Sequence, residues 1–117
     1  MLNKILLQGR LTKNVELKHT EKGDAIASFS VAWNTNYGDK ERTCFFNCVA
    51  FRSRAEFIEK YFSKGDMLAI DGQLQTRSYE DNTGVKRTVT EIIVNEVHFC
   101  GKKNTPNEDF TSDDDIF

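Results

Sequence analysis

The chain has 117 residues and a hydrophobic content of 38%, which suffices for one folded domain but not for two separate cores. No run of hydrophobic residues approaches 18, so a transmembrane helix is excluded, and the apolar stretch at residues 5–7 is too short for a signal peptide. We therefore expect a cytoplasmic protein that does not enter a membrane.

The charges are unevenly distributed along the chain. Residues 1–103 carry 16 basic and 13 acidic side chains, a net charge of +3. Residues 104–117 carry five acidic side chains and no basic one, a net charge of −5. A mildly basic body with an acidic tail is compatible with a polyanionic partner for the body, whereas a uniformly acidic protein is not.

The first half of the chain follows the alternation of β-strands. Residues 3–18 are predicted to form the first strand, which ends at the turn signal of residues 20–24. The second strand is expected over residues 25–36. A polar loop over residues 37–43 then leads to the third strand, residues 44–52.

The period of the pattern changes after the third strand. Ser53 and Glu56 have the spacing of a capping box, which predicts a helix with Ser53 at its N-cap. Apolar residues follow at helical spacing, namely Phe57, Ile58, Tyr61 and Phe62. Gly65 is expected to end this helix.

Two long strands complete the pattern, at residues 67–80 and 86–99, with a hairpin loop at residues 81–84. The order β-β-β-α-β-β predicts an all-β OB-fold, a five-stranded, partly open Greek-key barrel with one helix between strands 3 and 4. We assign this domain to residues 1–101. Residues 102–117 are polar and acidic, and we expect them to form a disordered tail.

The cysteine and histidine residues do not suggest a metal site or a disulfide. Cys44 and Cys48 are four residues apart in a predicted strand, which separates them by about 13 Å, while a disulfide needs Cα atoms within about 7 Å. Cys100, His19 and His98 do not have the spacing of a zinc site. We also find no set of nucleophile, base and orienting residue. We therefore expect a protein that is not an enzyme and has no cofactor.

The third strand has two different faces. The face suited to a barrel interior consists of Cys44, Phe46, Cys48 and Ala50. The opposite face consists of Phe45, Asn47, Val49 and Phe51. Phenylalanines beside an asparagine favour base stacking on this face. The alternative is that the helix or another subunit covers it.

The next strand has a polar face made of Gln73, Gln75, Arg77 and Tyr79. An arginine beside a tyrosine combines a phosphate contact with a stacking platform, and Lys86 and Arg87 follow across the hairpin. The alternative is an ordinary solvated hairpin. Trp33 shares its face with apolar residues and is expected in the core or against a subunit, so Tyr37 is the better candidate for base contact.

The C-terminal end combines an acidic run with two apolar residues, Ile116 and Phe117. An acidic tail is often only solubilising. A terminal apolar pair, however, is typical of a peptide that a pocket on another protein receives.

Several stretches resemble the family of bacterial single-stranded DNA-binding proteins. They are residues 2–11 (LNKILLQGRL), 46–49 (FNCV), 55–56 (AE), 64–65 (KG), 72–79 (GQLQTRSY), 90–91 (TE) and the tip 113–117 (DDDIF). The resemblance implies a homotetramer of OB domains that coats single-stranded DNA in replication, recombination and repair. It also implies recruitment of replication and repair proteins through the tip. The short tail suits a phage, plasmid or secondary form, which would act at the nucleoid or in the host cytoplasm.

The resemblance also implies roles for individual residues. Base-stacking positions are Tyr37, Phe45, Phe51 and Tyr79, and basic positions on the DNA path are Lys64, Arg77 and Arg87. The partner-docking tip consists of Asp113, Asp114, Asp115, Ile116 and Phe117. Two rivals stay open: an OB module that binds single-stranded RNA, and an adaptor whose barrel only oligomerises while its tail recruits partners.

Overall fold

The computed structural model describes residues 1–100, so the predicted tail and its docking tip lie outside the described residues. The elements are, in chain order, β1 (Ile5–Leu11), β2 (Glu16–His19), β3 (Ala25–Tyr37), β4 (Lys40–Phe51), α1 (Ser53–Tyr61), β5 (Met67–Glu80) and β6 (Lys86–Phe99). Within this range α1 is not long and apolar enough to cross a membrane.

The strands form one six-stranded sheet in the order β1-β5-β6-β4-β3-β2. β1 also pairs with β3 through Arg10–Ala32 and Leu11–Val31, so a ladder of two residue pairs closes the sheet into a barrel. β4 and β6 run parallel, whereas the other neighbouring strands run antiparallel. β1, β5, β6, β4 and β3 form the closed barrel, and β2 is added beside β3. This five-stranded barrel, with α1 between β4 and β5, confirms the predicted OB-fold.

The core fills the inside of the barrel, because alternate residues of each strand point inward. One end of the barrel is covered by α1, which buries Ala55 and Ile58, and by Phe62 just after it. The strands contribute the other buried residues, chiefly Leu11, Phe29, Val31, Cys48, Leu68, Ile70, Ile92 and Val94.

Gly9 lies where β1 and β3 come closest. A Cβ atom at this position would overlap the backbone carbonyl oxygen of Ala32 and would lie 2.6 Å from Cγ1 of Val31. The carbonyl belongs to the β3 ladder and cannot move aside unless the strand moves with it. The missing side chain of Gly9 is therefore what allows the two strands to meet.

The strand boundaries differ from the prediction in two places. The predicted first strand is interrupted at residues 12–15 and becomes β1 and β2, because β1 pairs with β5 while β2 pairs only with β3. The predicted loop over residues 37–43 is wrong. Tyr37 pairs with Lys40, and only Gly38 and Asp39 form the turn, with Gly38 at a φ of 61°.

The predicted helix caps are also wrong. Ser53 is the first residue of α1, and the N-cap is Arg52, without a side-chain capping hydrogen bond. The helix ends at Tyr61, and Gly65 lies four residues later in a turn, with a φ of 92°. The chain turns into α1 through an unusual backbone conformation of Arg52, which a sequence motif does not reveal.

The predicted placement of the cysteines in β4 is confirmed, with Cys48 buried in the core and Cys44 partly buried. Burial raises the pKa of the Cys48 thiol to about 12. Within residues 1–100, no group of three or more potential metal ligands lies close together.

Replacing Gly9 with alanine should destabilise the barrel, because the added Cβ would overlap the backbone of β3. We expect a loss of about 1–3 kcal/mol in the free energy of unfolding, as for other overpacked sites. This free energy is measured by unfolding each variant in urea. Gln8→Ala, at the exposed neighbouring position of β1, is the control and should change this free energy by less than about 0.5 kcal/mol. Equal stability of the two variants would contradict this account of the closure.

Candidate nucleic-acid interface

Cross-strand partners lie on the same face of a sheet, so the pairing shows which side chains lie together outside the barrel. Val49 on β4 pairs with Ser28 on β3 and with Ile93 on β6, and Ile93 pairs with Gln73 on β5. We call this continuous surface the outer face. Counting by twos along each strand, it contains Phe45, Asn47, Val49, Phe51, Gln73, Gln75, Arg77, Tyr79, Arg87, Val89, Glu91 and Ile93.

Three of the predicted stacking residues lie together on the outer face. Phe45 is 66% exposed, and Phe51 and Tyr79 are each 44% exposed. Phe45 and Phe51 are six residues apart on one strand, a distance of about 20 Å. The alternative that the helix covers this face is wrong, because α1 does not bury either phenylalanine. The face thus offers separated aromatic surfaces along a path long enough for several nucleotides.

Tyr37 is not brought onto the same face. It pairs with Lys40 and therefore has the parity of Trp33 and Cys44, opposite to that of Phe45. The guanidinium of Arg42 lies 5.5 Å from the centre of the Tyr37 ring. Tyr37 is well exposed, but it lies on the other side of the β3–β4 hairpin.

Arg77 lies on the outer face between an aromatic ring and a carboxylate. Its guanidinium carbon is 5.8 Å from the centre of the Tyr79 ring, the arrangement expected from the sequence. Its Nε and Nη2 donate to the two carboxylate oxygens of Glu91, at 2.9 and 3.3 Å. These hydrogen bonds raise the pKa of Arg77. The positive charge is therefore partly compensated before any ligand binds.

Arg87 is likewise paired, within the β5–β6 hairpin. Its Nε donates to Oδ2 of Asp81 at 2.7 Å. The other carboxylate oxygen of Asp81 accepts hydrogen bonds from Thr83 and from the backbone N–H of Val85. The pKa of Asp81 is lowered, mainly by the hydrogen bonds from Thr83, Arg87 and Val85. The turn holds Arg87 in a defined position beside Tyr79, its cross-strand partner.

Lys64 lies apart from the strands of the outer face, in the connection between α1 and β5. Its backbone N–H donates to Oδ1 of Asn14 at 3.0 Å. The neighbouring Gly65 accepts a hydrogen bond from Arg10. The structure thus brings together five of the seven predicted DNA-contact residues, and it leaves Tyr37 and Lys64 at the periphery.

Two clefts are present on the outer face, on either side of Val49. One has a volume of about 500 Å³ and includes Asn47, Arg77 and Glu91. The other has a volume of about 540 Å³ and includes Phe51, Arg52, Arg54 and Asn95. The last three residues were not predicted from the sequence. The basic residues directly after Phe51 were a signal for the second cleft, but the position of Asn95 depends on a register shift that only the structure shows.

The sequence pattern of one protein family, the single-strand binding protein family, matches this chain over residues 2–100. The chain belongs to this family. The match covers every strand and the helix of the barrel, so the family assignment and the OB-fold agree.

The relatives of the single-strand binding family that resemble this chain include several bacterial proteins. Single-stranded DNA-binding protein 2 of Listeria monocytogenes is 42% identical over 115 residues, which is 96% of this chain and 72% of the relative. Single-stranded DNA-binding protein A of Bacillus subtilis is 42% identical over 107 residues, 89% of this chain and 62% of the relative.

A solved structure of a Plasmodium falciparum SSB in complex with ssDNA is also similar. It superposes with a TM-score of 0.79 at 31% identity, covering 85% of this chain and 95% of the Plasmodium chain.

Proposed function

We propose that this protein binds single-stranded DNA without sequence preference and protects it during replication, recombination and repair. The observation that carries the proposal is the exposure of Phe45, Phe51 and Tyr79 on one continuous face of the barrel. Binding of single-stranded DNA is the activity in the names of the bacterial relatives at 42% identity. In this proposal the protein binds DNA and does not catalyse a reaction.

Base stacking explains why such a face tolerates every sequence. Every base has a π-face, and stacking on an exposed aromatic side chain contributes about 1–3 kcal/mol per base, a magnitude taken from proteins of this same class. Phe45, Phe51 and Tyr79 provide the stacking surfaces. Tyr37 would contact a strand that continues around the edge of the β3–β4 hairpin, since its ring lies on the opposite side.

Phosphates are bound by the basic residues beside these rings. Arg77 uses Nε and Nη2 for Glu91, which leaves its Nη1 donors for a phosphate oxygen. Arg87 contributes in the same way from the neighbouring strand, and Lys64 contributes at the periphery. The carboxylates of Glu91 and Asp81 orient the guanidiniums and also reduce their net charge.

Replacing Tyr79 or Phe51 with alanine should weaken binding of an oligo(dT) by about 1–3 kcal/mol, because each change removes one stacking surface. Both residues are exposed, so the melting temperature should hardly change. Fluorescence titration measures the affinity. Tyr61→Ala is the matched control, since Tyr61 is 39% exposed but lies on α1, and it should bind like the wild type.

Three results would contradict this proposal. A large fall in melting temperature for Tyr79→Ala would show that the ring is a structural element. Binding of oligo(rU) that is as tight as or tighter than that of oligo(dU) of the same length would favour the rival RNA-binding module, because these two oligomers differ only at the sugar. Affinity for oligo(dT) that stays unchanged in both aromatic variants would contradict base stacking and favour the adaptor.

The protein acts as a homotetramer in this proposal, and assembly is supported by the edge of β1 that is largely unpaired within residues 1–100. On one side β1 pairs with β5, but on the other side it reaches β3 only at Arg10 and Leu11. Leu6, the second residue of the strand, is 76% exposed. Trp33 is partly exposed and is therefore not a core residue. Of the two predicted positions for Trp33, burial against another subunit is the one that we keep. An open edge with an apolar side chain favours strand pairing between chains.

Replacing Leu6 with lysine should lower the mass measured by light scattering from that of a tetramer, because a charge on the β1 edge opposes pairing between chains. Four chains of 13.4 kDa give a mass of about 54 kDa. Leu2→Lys adds the same charge just before β1 and should leave the tetramer intact. A wild-type mass of one chain at micromolar concentration would refute the assembly.

Residues 102–117 form a separate segment in this proposal, and their tip recruits replication and repair proteins. The tip joins three acidic residues to two apolar ones, Asp113, Asp114, Asp115, Ile116 and Phe117. Acidic groups suit a basic rim and the apolar pair suits a pocket on the partner. The acidic tail also competes with DNA for the mildly basic barrel.

Deleting residues 108–117 should raise the affinity for DNA at low salt and have little effect at high salt, since interactions between solvated charges are screened with a Debye length of about 10 Å at 0.1 M. The deletion should also abolish binding to partner proteins. The control is Ile116→Ala with Phe117→Ala, which keeps every side-chain charge and should lose partners while its DNA affinity stays unchanged. A deletion that changes neither activity would leave the tail a solubilising segment.

A further inference from the structure

Arg52 has a backbone conformation that is unusual for a residue with a side chain. Its φ is 60° and its ψ is −129°, and it is the only non-glycine residue with a positive φ in the described part of the chain. Glycine adopts this conformation freely, whereas a Cβ atom makes it strained. Arg52 is fixed there by two hydrogen bonds. Its N–H donates to the carbonyl of Ala25 at 2.7 Å, and its carbonyl accepts from the N–H of Glu56 at 3.1 Å.

Glycine would adopt this backbone conformation without strain, so the presence of an arginine here indicates that the arginine side chain has a function. The side chain of Arg52 lines the cleft of about 540 Å³ directly after the exposed ring of Phe51. Within residues 1–100 Arg52 does not form an ion pair, whereas the nearby Arg54 lies 3.8 Å from a carboxylate oxygen of Glu96. Arg77 and Arg87 are also paired. Among the described residues, Arg52 therefore brings to this cleft a positive charge that is not held in an ion pair.

Asn95 reaches the same cleft because of a register shift between β5 and β6. Asp71 pairs with Glu96 and Gly72 pairs with Val94, so Asn95 is an extra residue without a partner on β5. Such a bulge redirects the side chain of the extra residue. The amide of Asn95 carries both donors and acceptors, which lets it pair with the edge of any base.

The remaining walls of the cleft suit a flat apolar ring. Ile26 on β3 and Ile93 on β6 lie on the two sides of Phe51, and all three side chains line the cleft. Its volume is within the range of about 300–1,000 Å³ that is usual for small-ligand sites. The cleft is continuous with the stacking face, because Phe51 belongs to both.

We propose that this cleft is a nucleotide subsite, in which a base stacks on Phe51 beside Ile26 and Ile93, Asn95 binds the edge of the base, and Arg52 binds the adjoining phosphate. The inference rests on the proposed function and extends the strand path beyond Phe51 to the start of α1. The strained backbone of Arg52 is then maintained because it directs the guanidinium towards the phosphate.

The cleft also contains an acidic residue, and its position sets a second expectation. Asp24 lines the wall at the start of β3 and does not form an ion pair within residues 1–100. Its charge opposes the entry of a phosphate. Asp24→Asn should therefore strengthen binding at low salt, whereas Asn95→Ala should weaken it at every salt concentration.

The experiment compares Arg52→Gly, Arg52→Ala and Arg52→Lys for oligo(dT) affinity across a salt series and for melting temperature. Glycine and alanine both remove the charge, so each should weaken binding by about 3- to 10-fold. Because each of these variants removes one phosphate contact, the slope of log affinity against log salt should become less steep by about 0.7. Lysine retains the charge and should keep the slope.

The melting temperature separates the two neutral variants. Glycine removes the strain and should raise the melting temperature by about 2–8 °C, whereas alanine retains the strain and should leave it nearly unchanged. A glycine variant that is more stable and still binds DNA with wild-type affinity and salt slope would overturn the subsite.

Phe51→Ala and Tyr79→Ala in the same salt series separate this inference from the proposed function. If these two variants lose affinity and none of the Arg52 variants does, the single-strand function stands and the subsite is refuted. If the wild type itself does not bind oligo(dT), the proposed function fails first.

Discussion

The barrel depends on a close approach between two backbones. β1 meets β3 at Gly9, where a side chain would overlap the carbonyl oxygen of Ala32, and the ladder that closes there consists of only two residue pairs. Closure at this point turns a six-stranded sheet into a barrel with an inside and an outside. Each side chain on β3, β4, β5 and β6 then lies on a defined side of the sheet, because successive residues of a strand alternate between the buried core and the outer face.

Strand length determines how the outer face is used. β3, β4, β5 and β6 have 12 to 14 residues each. The last residues of β3 and β5 and the first residues of β4 and β6 extend as hairpins beyond the buried core. The buried positions of β5 end at Gly72, and the exposed half of that strand contains Arg77 and Tyr79. The same element thus stabilises the domain at one end and presents aromatic and basic groups at the other. Substitutions at the exposed end are therefore expected to affect binding more than folding.

Electrostatic compensation is a second property of this face. Arg77 and Arg87 are paired with Glu91 and Asp81, so their positions are defined at the cost of some positive charge. Surface pairs of this kind contribute little to stability, with a median of about 0–1 kcal/mol. Their effect on the orientation of the guanidiniums is thus the more important one. Arg52 differs, because its backbone conformation, rather than a carboxylate, determines where its side chain lies.

The sequence by itself determined the fold class, the two faces of β4 and the grouping of Arg77 with Tyr79, since a period of two is a local property of a strand. It did not reveal where the helix begins, how short the turn after Tyr37 is, or that Tyr37 and Phe45 lie on opposite faces. The turn and the opposite faces follow from cross-strand register. Register also creates the bulge at Asn95, and the entry into α1 imposes the strained conformation of Arg52. Both are set by contacts between residues far apart in the chain, so only the tertiary structure could decide them.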